Sequence, residues 1–330
     1  MRQVRTSFRL PRYSPIRAER LYFYAMREGV PVFLLFGLLT AISFGVADFL
    51  AGLVGRRMSP LTLVLYSQSI GAVVITLLAV ALAGRPGASE LAWGSAAGAV
   101  LGLGFILYYR ALANGTMGVI AAVTGVWTAV APFVIGLSLG ERPSTIALMG
   151  IVLVVVAIAL VSGGAKANEQ EPPQESEHPA SSNRGHLRQR GFLACDSGIL
   201  QASVAGLWMG LFFVFLDQPQ SESPLWPAAA ATVASALAVA ALIPALRPSL
   251  KMPVKSLWVV GAVGLFQTLG TLTFVIAARE GMLSVVAVAG ALTPIPTAIL
   301  AFLILRERAT LLQLTGIAAA LAGIMMMMQA

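Results

Sequence analysis

The stretch from Asn114 to Ile151 reads NGTMGVIAAVTGVWTAVAPFVIGLSLGERPSTIALMGI. A second stretch, from Glu280 to Ile317, reads EGMLSVVAVAGALTPIPTAILAFLILRERATLLQLTGI. The two align without a gap at a constant offset of 166 residues, so that Glu141 corresponds to Glu307 and Gly150 to Gly316 (307 − 141 = 166; 316 − 150 = 166). A repeat of this length predicts that the chain is built from two related halves.

The composition indicates a protein that crosses the membrane many times. Of its residues 58% are hydrophobic and 11% are charged, and the mean hydropathy is +0.84, whereas a soluble domain carries roughly 25% charged residues. A membrane-spanning helix needs about 20 apolar residues. Ten such spans are predicted, near residues 31–53, 61–83, 91–112, 117–138, 145–163, 198–216, 226–246, 256–277, 282–304 and 311–329.

The span count also predicts how the two halves are related. Five spans precede residue 164 and five follow residue 197. Because five is odd, the second half starts on the opposite side of the membrane from the first, and the repeats are inverted. The predicted fold class is therefore an all-α integral membrane protein, with ten transmembrane helices forming two inverted five-helix repeats.

Four segments follow from this pattern: a basic N-terminal tail (1–30), a first repeat (31–163), a polar disordered linker (164–197) and a second repeat (198–330). The linker is rich in Glu, Pro, Ser and Gln, a composition that buries too little apolar area to fold. The seven arginines of the tail either bind acidic lipids or act as a topology signal, or the six that precede Met26 belong to a segment upstream of a true start there. Basic residues divide almost evenly between the two sides, so charge alone leaves the orientation open.

Two kinds of repeated residue favour a structural role. Glu141 and Glu307 end spans four and nine, and Ser144 or Thr310 follows as a natural N-cap for the next helix. We expect each glutamate to stabilise its turn and the start of that helix. Glycines recur every four residues in spans three and six, which favours close helix packing over substrate contact: Gly94, Gly98, Gly102, Gly206 and Gly210.

Asp48, in the first span, is the principal candidate for substrate binding or proton coupling. A charged carboxylate at mid-helix costs about 2.5–3.5 kcal/mol on insertion scales, so a functional use is the default hypothesis. The alternative is that Asp48 reaches the membrane interface or pairs with Arg56 or Arg57, two turns further along.

The other candidates each have a structural alternative. Arg110 either pairs with an anionic substrate or Asp48, or extends to the lipid headgroups, where Tyr108 would also fit an aromatic belt. Gln68, Gln201 and Gln267 either line a polar cavity or join helices by hydrogen bonds. Trp127 either stacks on a substrate or packs in the core.

No enzymatic motif, nucleic-acid-binding pattern, cofactor site or metal site is recognisable. The two histidines, His178 and His186, lie in the polar linker, and one cysteine, Cys195, excludes an intramolecular disulfide. We therefore expect no catalysis and no cofactor. The expected partners are the lipid bilayer and a small molecule, with the oligomeric state open.

The repeated Glu-Arg turns give the chain a family resemblance. Gly140-Glu141-Arg142 with Gly150, and Arg306-Glu307-Arg308 with Gly316, resemble the pattern of EamA-type members of the drug/metabolite transporter superfamily. Pro294 matches a proline that the family often has thirteen residues before its glutamate; the first half has Thr128 there and a proline at Pro132 instead. The resemblance covers about 33–162 and 198–328.

The resemblance implies a substrate cavity between the halves, alternating access and cytoplasmic termini, in the inner or plasma membrane. The expected function is secondary transport of small organic metabolites or drugs, with proton coupling as one option. The alternatives are a non-transporting membrane protein, such as a lipid-handling enzyme or an assembly factor, and a channel. A channel is disfavoured because no span has a regularly spaced polar face.

Overall fold

A computed structural model describes residues 31–55, 58–114, 117–169, 185–219, 223–246, 248–305 and 310–328. The basic tail, Arg56, Arg57, the centre of the predicted linker, and the repeat residues Glu307 and Arg308 lie outside these ranges. The described residues are helical and contain no β-strand.

Within the described ranges, the first half contains five α-helices and the second half contains six. They are α1 (Val32–Gly55), α2 (Pro60–Leu82), α3 (Ala88–Asn114), α4 (Met117–Ser138), α5 (Thr145–Glu169), α6 (Gly185–Asp217), α7 (Leu225–Leu246), α8 (Leu257–Ala278), α9 (Leu283–Gly290), α10 (Pro294–Leu300) and α11 (Leu311–Met327). In this part of the chain, eight segments are long and apolar enough to cross a membrane, and Val123–Ser138 and Leu311–Met327 are shorter apolar helices.

The predicted ninth span is broken into two short helices. Helix α9 ends at Gly290, and α10 begins at Pro294 after three residues of turn. Proline lacks a backbone N–H and has a fixed φ, so it suits the first position of a helix better than its interior. Beyond α10 the chain continues as a wide turn of helix over Ala301–Leu305. In α4, by contrast, the helix runs through Pro132.

Two helices extend into the segment that was predicted to be a disordered linker. Helix α5 continues to Glu169, and α6 begins at Gly185. The polar composition of these extensions, which favoured a linker, does not prevent them from continuing an adjacent apolar helix, since elongating a helix needs no new nucleation.

Helix packing joins the two halves extensively. Helix α1 packs along α8, α3 packs along both α6 and α7, and α5 packs along α11. Helix α2 contacts α7 and α8, whereas α4 contacts α6, and the broken ninth span contacts α1. Each of these contacts pairs a helix from one half with a helix from the other, so neither half forms a separate bundle.

The glycines predicted to mark packing surfaces do so. A Cβ on Gly94 or Gly98 would collide with the backbone of α7 at Pro227 or Ala231, and one on Gly102 would meet Ser235. A Cβ on Gly206 or Gly210 would likewise collide with α4. The prediction of close helix packing is therefore confirmed at all five positions.

The repeated glycines Gly150 and Gly316 bring α5 and α11 together. A Cβ on Gly150 would lie 2.7 Å from the carbonyl oxygen of Gly323, and one on Gly316 would lie 3.1 Å from that of Ala157. Gly323 and Ala157 are themselves 166 residues apart. The two ends of this interface thus have the same construction.

We expect Gly98→Ala to destabilise the protein, because the added methyl group would lie 2.7 Å from the carbonyl carbon of Ala231. Overpacking of this kind costs about 1–3 kcal/mol, which thermal unfolding in detergent will detect as a lower Tm. The matched control is Gly52→Ala, where no atom lies within 4 Å of the added methyl group. Equal Tm values for the two variants would contradict this packing.

Candidate functional site

The turn after α4 directs Glu141 away from its own helix. Gly140 has a φ of +98°, a left-handed conformation that favours glycine. The N–H of Gly140 donates to the carbonyl of Leu137, and the N–H of Glu141 donates to that of Gly136. This is the Schellman pattern of a helix C-terminus. It fixes Glu141 just beyond the end of α4.

The carboxylate of Glu141 caps a helix of the other half. The N–H of Leu283 donates to Oε1 of Glu141 at 2.5 Å, and the N–H of Ser284 donates to Oε2 at 2.9 Å. These N–H groups belong to the first turn of α9, where they have no partner within the helix. A negative charge is also stabilised by the helix dipole at this end. We call this contact the Glu141 cap.

This contact corrects the local role expected for Glu141. Ser144 caps α5, since the N–H of Ala147 donates to Ser144 Oγ at 3.2 Å. Thr310 caps α11 in a capping box with Gln313. Both predicted N-caps are therefore confirmed. Glu141 is thus free to bind α9 rather than the helix that follows it in sequence.

Missing side chains make room for the Glu141 cap. A Cβ on Gly136 would lie 3.1 Å from the N–H nitrogen of Ser284 and would also collide with the Glu141 carboxylate. At Gly281, just before α9, the ring of Phe33 occupies the space that a side chain would need. Sequence analysis did not single out either residue for this role, because the groups they accommodate are distant in sequence.

Charged residues surround the Glu141 cap. A cavity of about 560 Å³ beside it is lined by Phe33, Glu141, Arg279, Glu280, Gly281, Met282 and Val285. Partial desolvation lowers the pKa of Arg279, while the nearby carboxylates of Glu90 and Glu280 oppose that shift. Asp217, at the end of α6, interacts electrostatically with Glu141. Sequence analysis also missed Asp217, which looks like an ordinary helix-end residue.

The two ends of the bundle are packed differently. At the end that holds Glu141, here the Glu141 end, one core cluster with Phe213, Phe274 and Val286 joins five helices, α3, α6, α7, α8 and α9. A second, around Leu34 and Val285, joins α1, α4, α5, α9 and α11, and a smaller third joins α2 and α7. At the opposite end, here the Trp258 end, the described residues form two separate clusters. One joins α1, α2 and α8 around Val54 and Val260, and the other joins α3, α4 and α6 around Ile120.

Asp48 lies on the inner face of α1 between these two clusters. Its neighbours Phe44 and Gly45 pack against Gly270 of α8 and Pro296 of α10. The exposed apolar residues Ile42 and Leu53 lie roughly 120° or more away around the helix and mark its lipid-facing side. Asp48 itself is solvent-accessible, although Phe44 and Gly45 on its helix are packed against other helices. This combination is expected of a residue in a cleft.

Two of the predicted candidates lie near Asp48. Tyr108 of α3 is close enough to interact electrostatically with it. Gln267 of α8 is half-buried, and its Oε1 is shielded from solvent without a hydrogen-bond partner among the described residues. Phe33 packs at Gly281 and Phe44 at Gly270, so α1 and α8 are antiparallel. One turn beyond Phe44, this register brings Asp48 level with residues 266 and 267.

The remaining candidates lie on α2, α3 and α4, and a functional role for each of them stays a prediction. Arg110 is exposed, and two residues from Tyr108 it points about 200° away around α3. Trp127 shares an exposed apolar face of α4 with Val134, as a lipid-facing residue would. Gln68 is buried on α2, next to the packing contact between Ser67 and Gly264.

The repeat-motif residues stay outside this cleft. Arg142 is exposed at the Glu141 end. Gly150 and Gly316 belong to the contact between α5 and α11, and Glu307 and Arg308 lie beyond the described residues. The cleft around Asp48 is therefore built from residues that the repeat does not duplicate.

Comparison with known proteins adds to this geometry. No curated protein matches the sequence. A crystal structure of a protein that is 18% identical superposes with a TM-score of 0.70, covering 89% of this chain and 97% of the other chain. At this identity the likeness supports the fold alone. A model of the EamA-like transporter family matches the chain twice, over residues 32–163 and 196–329.

Both matched regions coincide with the duplicated halves, and together they cover most of the chain. The chain therefore belongs to the EamA-like transporter family.

Proposed function

We propose that this protein is a secondary transporter that moves small organic molecules across the inner or plasma membrane by alternating access. The observation that carries the proposal is the contrast between the two ends of the bundle. Asp48 is accessible between the two clusters of the Trp258 end, whereas the Glu141 end is closed by a contact between the halves. A carrier that opens to one side at a time needs both features.

Matched contacts support two inverted repeats as the moving parts. Gly150 meets Gly323 and Gly316 meets Ala157, each pair being the other shifted by 166 residues. In the same way, Gly206 of α6 meets Thr124 of α4, and Gly290 of α9 meets Thr40 of α1. Inverted repeats of this kind let a transporter exchange two conformations that are related approximately by a two-fold axis in the membrane plane.

The two copies differ at the residues that form the Glu141 cap. Gly136 makes room for the carboxylate, and Gly140 adopts the left-handed turn before it. At an offset of 166 the second half has Phe302 and Arg306 in these places. The second half therefore lacks the two glycines that this contact needs. This difference favours a resting state that is closed at the Glu141 end.

Opening of the Glu141 end requires the cap to break. Glu141 must release the N–H groups of Leu283 and Ser284, because they join α4 of one half to α9 of the other. All eight residues of α9 are buried, whereas none of α10 is. We propose that α9 moves as a unit about the turn at 291–293, and that this exposes the cleft to the other side.

Both chain ends of the described bundle, at α1 and α11, lie at the Glu141 end, because an even number of spans separates them. We propose that this end faces the cytoplasm, as in the family resemblance. The chain has no nucleotide-binding motif, so an ion or substrate gradient would drive transport. Asp48 is the proposed residue for substrate binding or proton coupling.

Glu141→Gln should shift the protein toward opening at the Glu141 end. The amide keeps one acceptor oxygen and presents an NH₂ group to the second backbone N–H, so the two-pronged cap is lost. Spin labels in a Cys195→Ser background will measure this by pulsed electron resonance. Labels at Arg142→Cys and Glu280→Cys should move apart, and labels at Leu200→Cys and Trp258→Cys should approach.

The matched control for this experiment is Glu90→Gln. The Glu90 carboxylate accepts from the N–H of Gly87 at 2.7 Å within its own half and also lies near Arg279. The variant therefore removes an acidic charge from the same end without changing the contact to the N–H groups of α9. This substitution should leave both distance distributions unchanged. If Glu141→Gln behaves like the control, the Glu141 cap does not close the transporter.

Asp48→Asn should abolish transport driven by a pH gradient while leaving expression and Tm unchanged. The amide keeps the size of the side chain but cannot exchange a proton or balance a charge. The measurement is uptake of a small-molecule panel into proteoliposomes, with and without a pH gradient, using Glu90→Gln as the control. Unchanged gradient-driven uptake would remove Asp48 from the mechanism.

A further inference from the structure

We infer that the cleft binds the protonated amine of an organic cation, with Asp48 and Gln267 accepting its N–H groups. This inference rests on the proposed function, since it assigns a substrate class to the same cleft. It depends on three features of the described residues: a carboxylate on an inner helix face, an unpaired acceptor at the same level, and aromatic surface beside both.

The first feature is the charge of the cleft. Asp48 is accessible on the inner face of α1, away from the lipid-facing Ile42 and Leu53. Among the described residues, the basic ones lie in connections or near helix ends, and Arg110 points away from Tyr108: Arg85, Arg110, Arg142, Lys166, Arg188, Arg190, Lys251, Lys255 and Arg279. Within the described part of the cleft, a cationic group would therefore meet a carboxylate without a competing protein cation.

The second feature is the unpaired oxygen of Gln267. Its Oε1 is shielded from solvent and has no hydrogen-bond partner among the described residues. A buried acceptor without a donor is destabilising, so an incoming N–H group recovers free energy. The register of α1 against α8 puts this oxygen level with Asp48. A protonated amine has several N–H donors and can serve both acceptors, as a hydroxyl group cannot.

The third feature is the aromatic surface beside the acceptors. Phe44 lies one turn from Asp48, and Tyr108 interacts with Asp48. The ring of Phe44 continues into Phe213, at 6.4 Å between centroids, and then into Phe274 at 4.5 Å. Aromatic faces attract cations through the negative charge of the ring face. They would also contact the apolar body of an arylamine or alkylamine.

Other ligand classes fit this cleft less well. An anion would meet the carboxylate of Asp48 with no described basic residue to offset it. The carboxylate of a zwitterionic amino acid would have the same difficulty. No group of three or more potential metal ligands occurs in the described residues, and a divalent cation needs several oxygen ligands.

The test compares amines with uncharged and anionic molecules of the same shape. Purified protein in detergent is titrated calorimetrically with benzylamine, phenethylamine and tryptamine, with their alcohol counterparts, and with phenylacetate and phenylalanine. At least one amine should bind ten times or more tightly than its alcohol, phenylacetate or phenylalanine. If every amine fails to bind or binds no better than its alcohol, or if phenylacetate or phenylalanine binds best, the inference is wrong.

Variants separate the two acceptors from general damage to the protein. Asp48→Asn should reduce the amine-to-alcohol preference to less than threefold, whereas Asp48→Glu should retain most of it. Gln267→Met should weaken amine binding about tenfold, the loss expected for one hydrogen bond to a charged group. The matched control is Gln218→Met, at the end of α6, where the amide donates to the carbonyl of Val214.

Each outcome for the variants has a defined meaning. Unchanged amine affinity in correctly folded Asp48→Asn, as judged by Tm, would overturn the inference. Equal losses in Gln267→Met and Gln218→Met would remove Gln267 from the site. The spin-label distances test alternating access without any ligand. A protein that alternates but does not prefer amines would therefore contradict the substrate class alone, and a protein that prefers amines but does not alternate would contradict the proposed function.

Discussion

The contact between Glu141 and the first turn of α9 connects the two halves where the bundle is closed. It satisfies two backbone N–H groups that would otherwise be buried without partners. It also places a negative charge at the positive end of a helix in a region of low dielectric. Because the carboxylate comes from one repeat and the helix from the other, the position of α9 depends on how the halves are docked.

Small residues provide the second constraint on the fold. Lipid is as apolar as the helix surfaces, so membrane helices associate mainly through close packing and polar contacts. Here glycines let α3 approach α7, α6 approach α4 and α5 approach α11 at backbone contact distance. These contacts run between the halves. The same small residues that stabilise the bundle therefore also form the surfaces along which the halves would move.

The Glu141 cap uses a residue that both copies of the repeat have, whereas the cleft uses a carboxylate that only one copy has. The cap uses a glutamate that both copies have, but with glycines that only the first copy provides at Gly136 and Gly140. Asp48, by contrast, has the apolar Val214 at its equivalent position (48 + 166 = 214). Under the proposed mechanism, the symmetry of the repeats allows two related conformations. The sequence differences between the copies account for the carboxylate in the cleft and for the Glu141 cap at one end only.

Sequence alone determined the helical class, the approximate spans, the glycine packing surfaces and the caps at Ser144 and Thr310, because each depends on local composition or on spacing along one helix. It also made Asp48 a candidate, since a carboxylate in an apolar run is conspicuous. It could not determine which helix Glu141 binds, that Tyr108 lies near Asp48, or that Trp127 is exposed beside Val134. Those relations join residues far apart in the chain, and only the docking of the helices against one another fixes which faces meet.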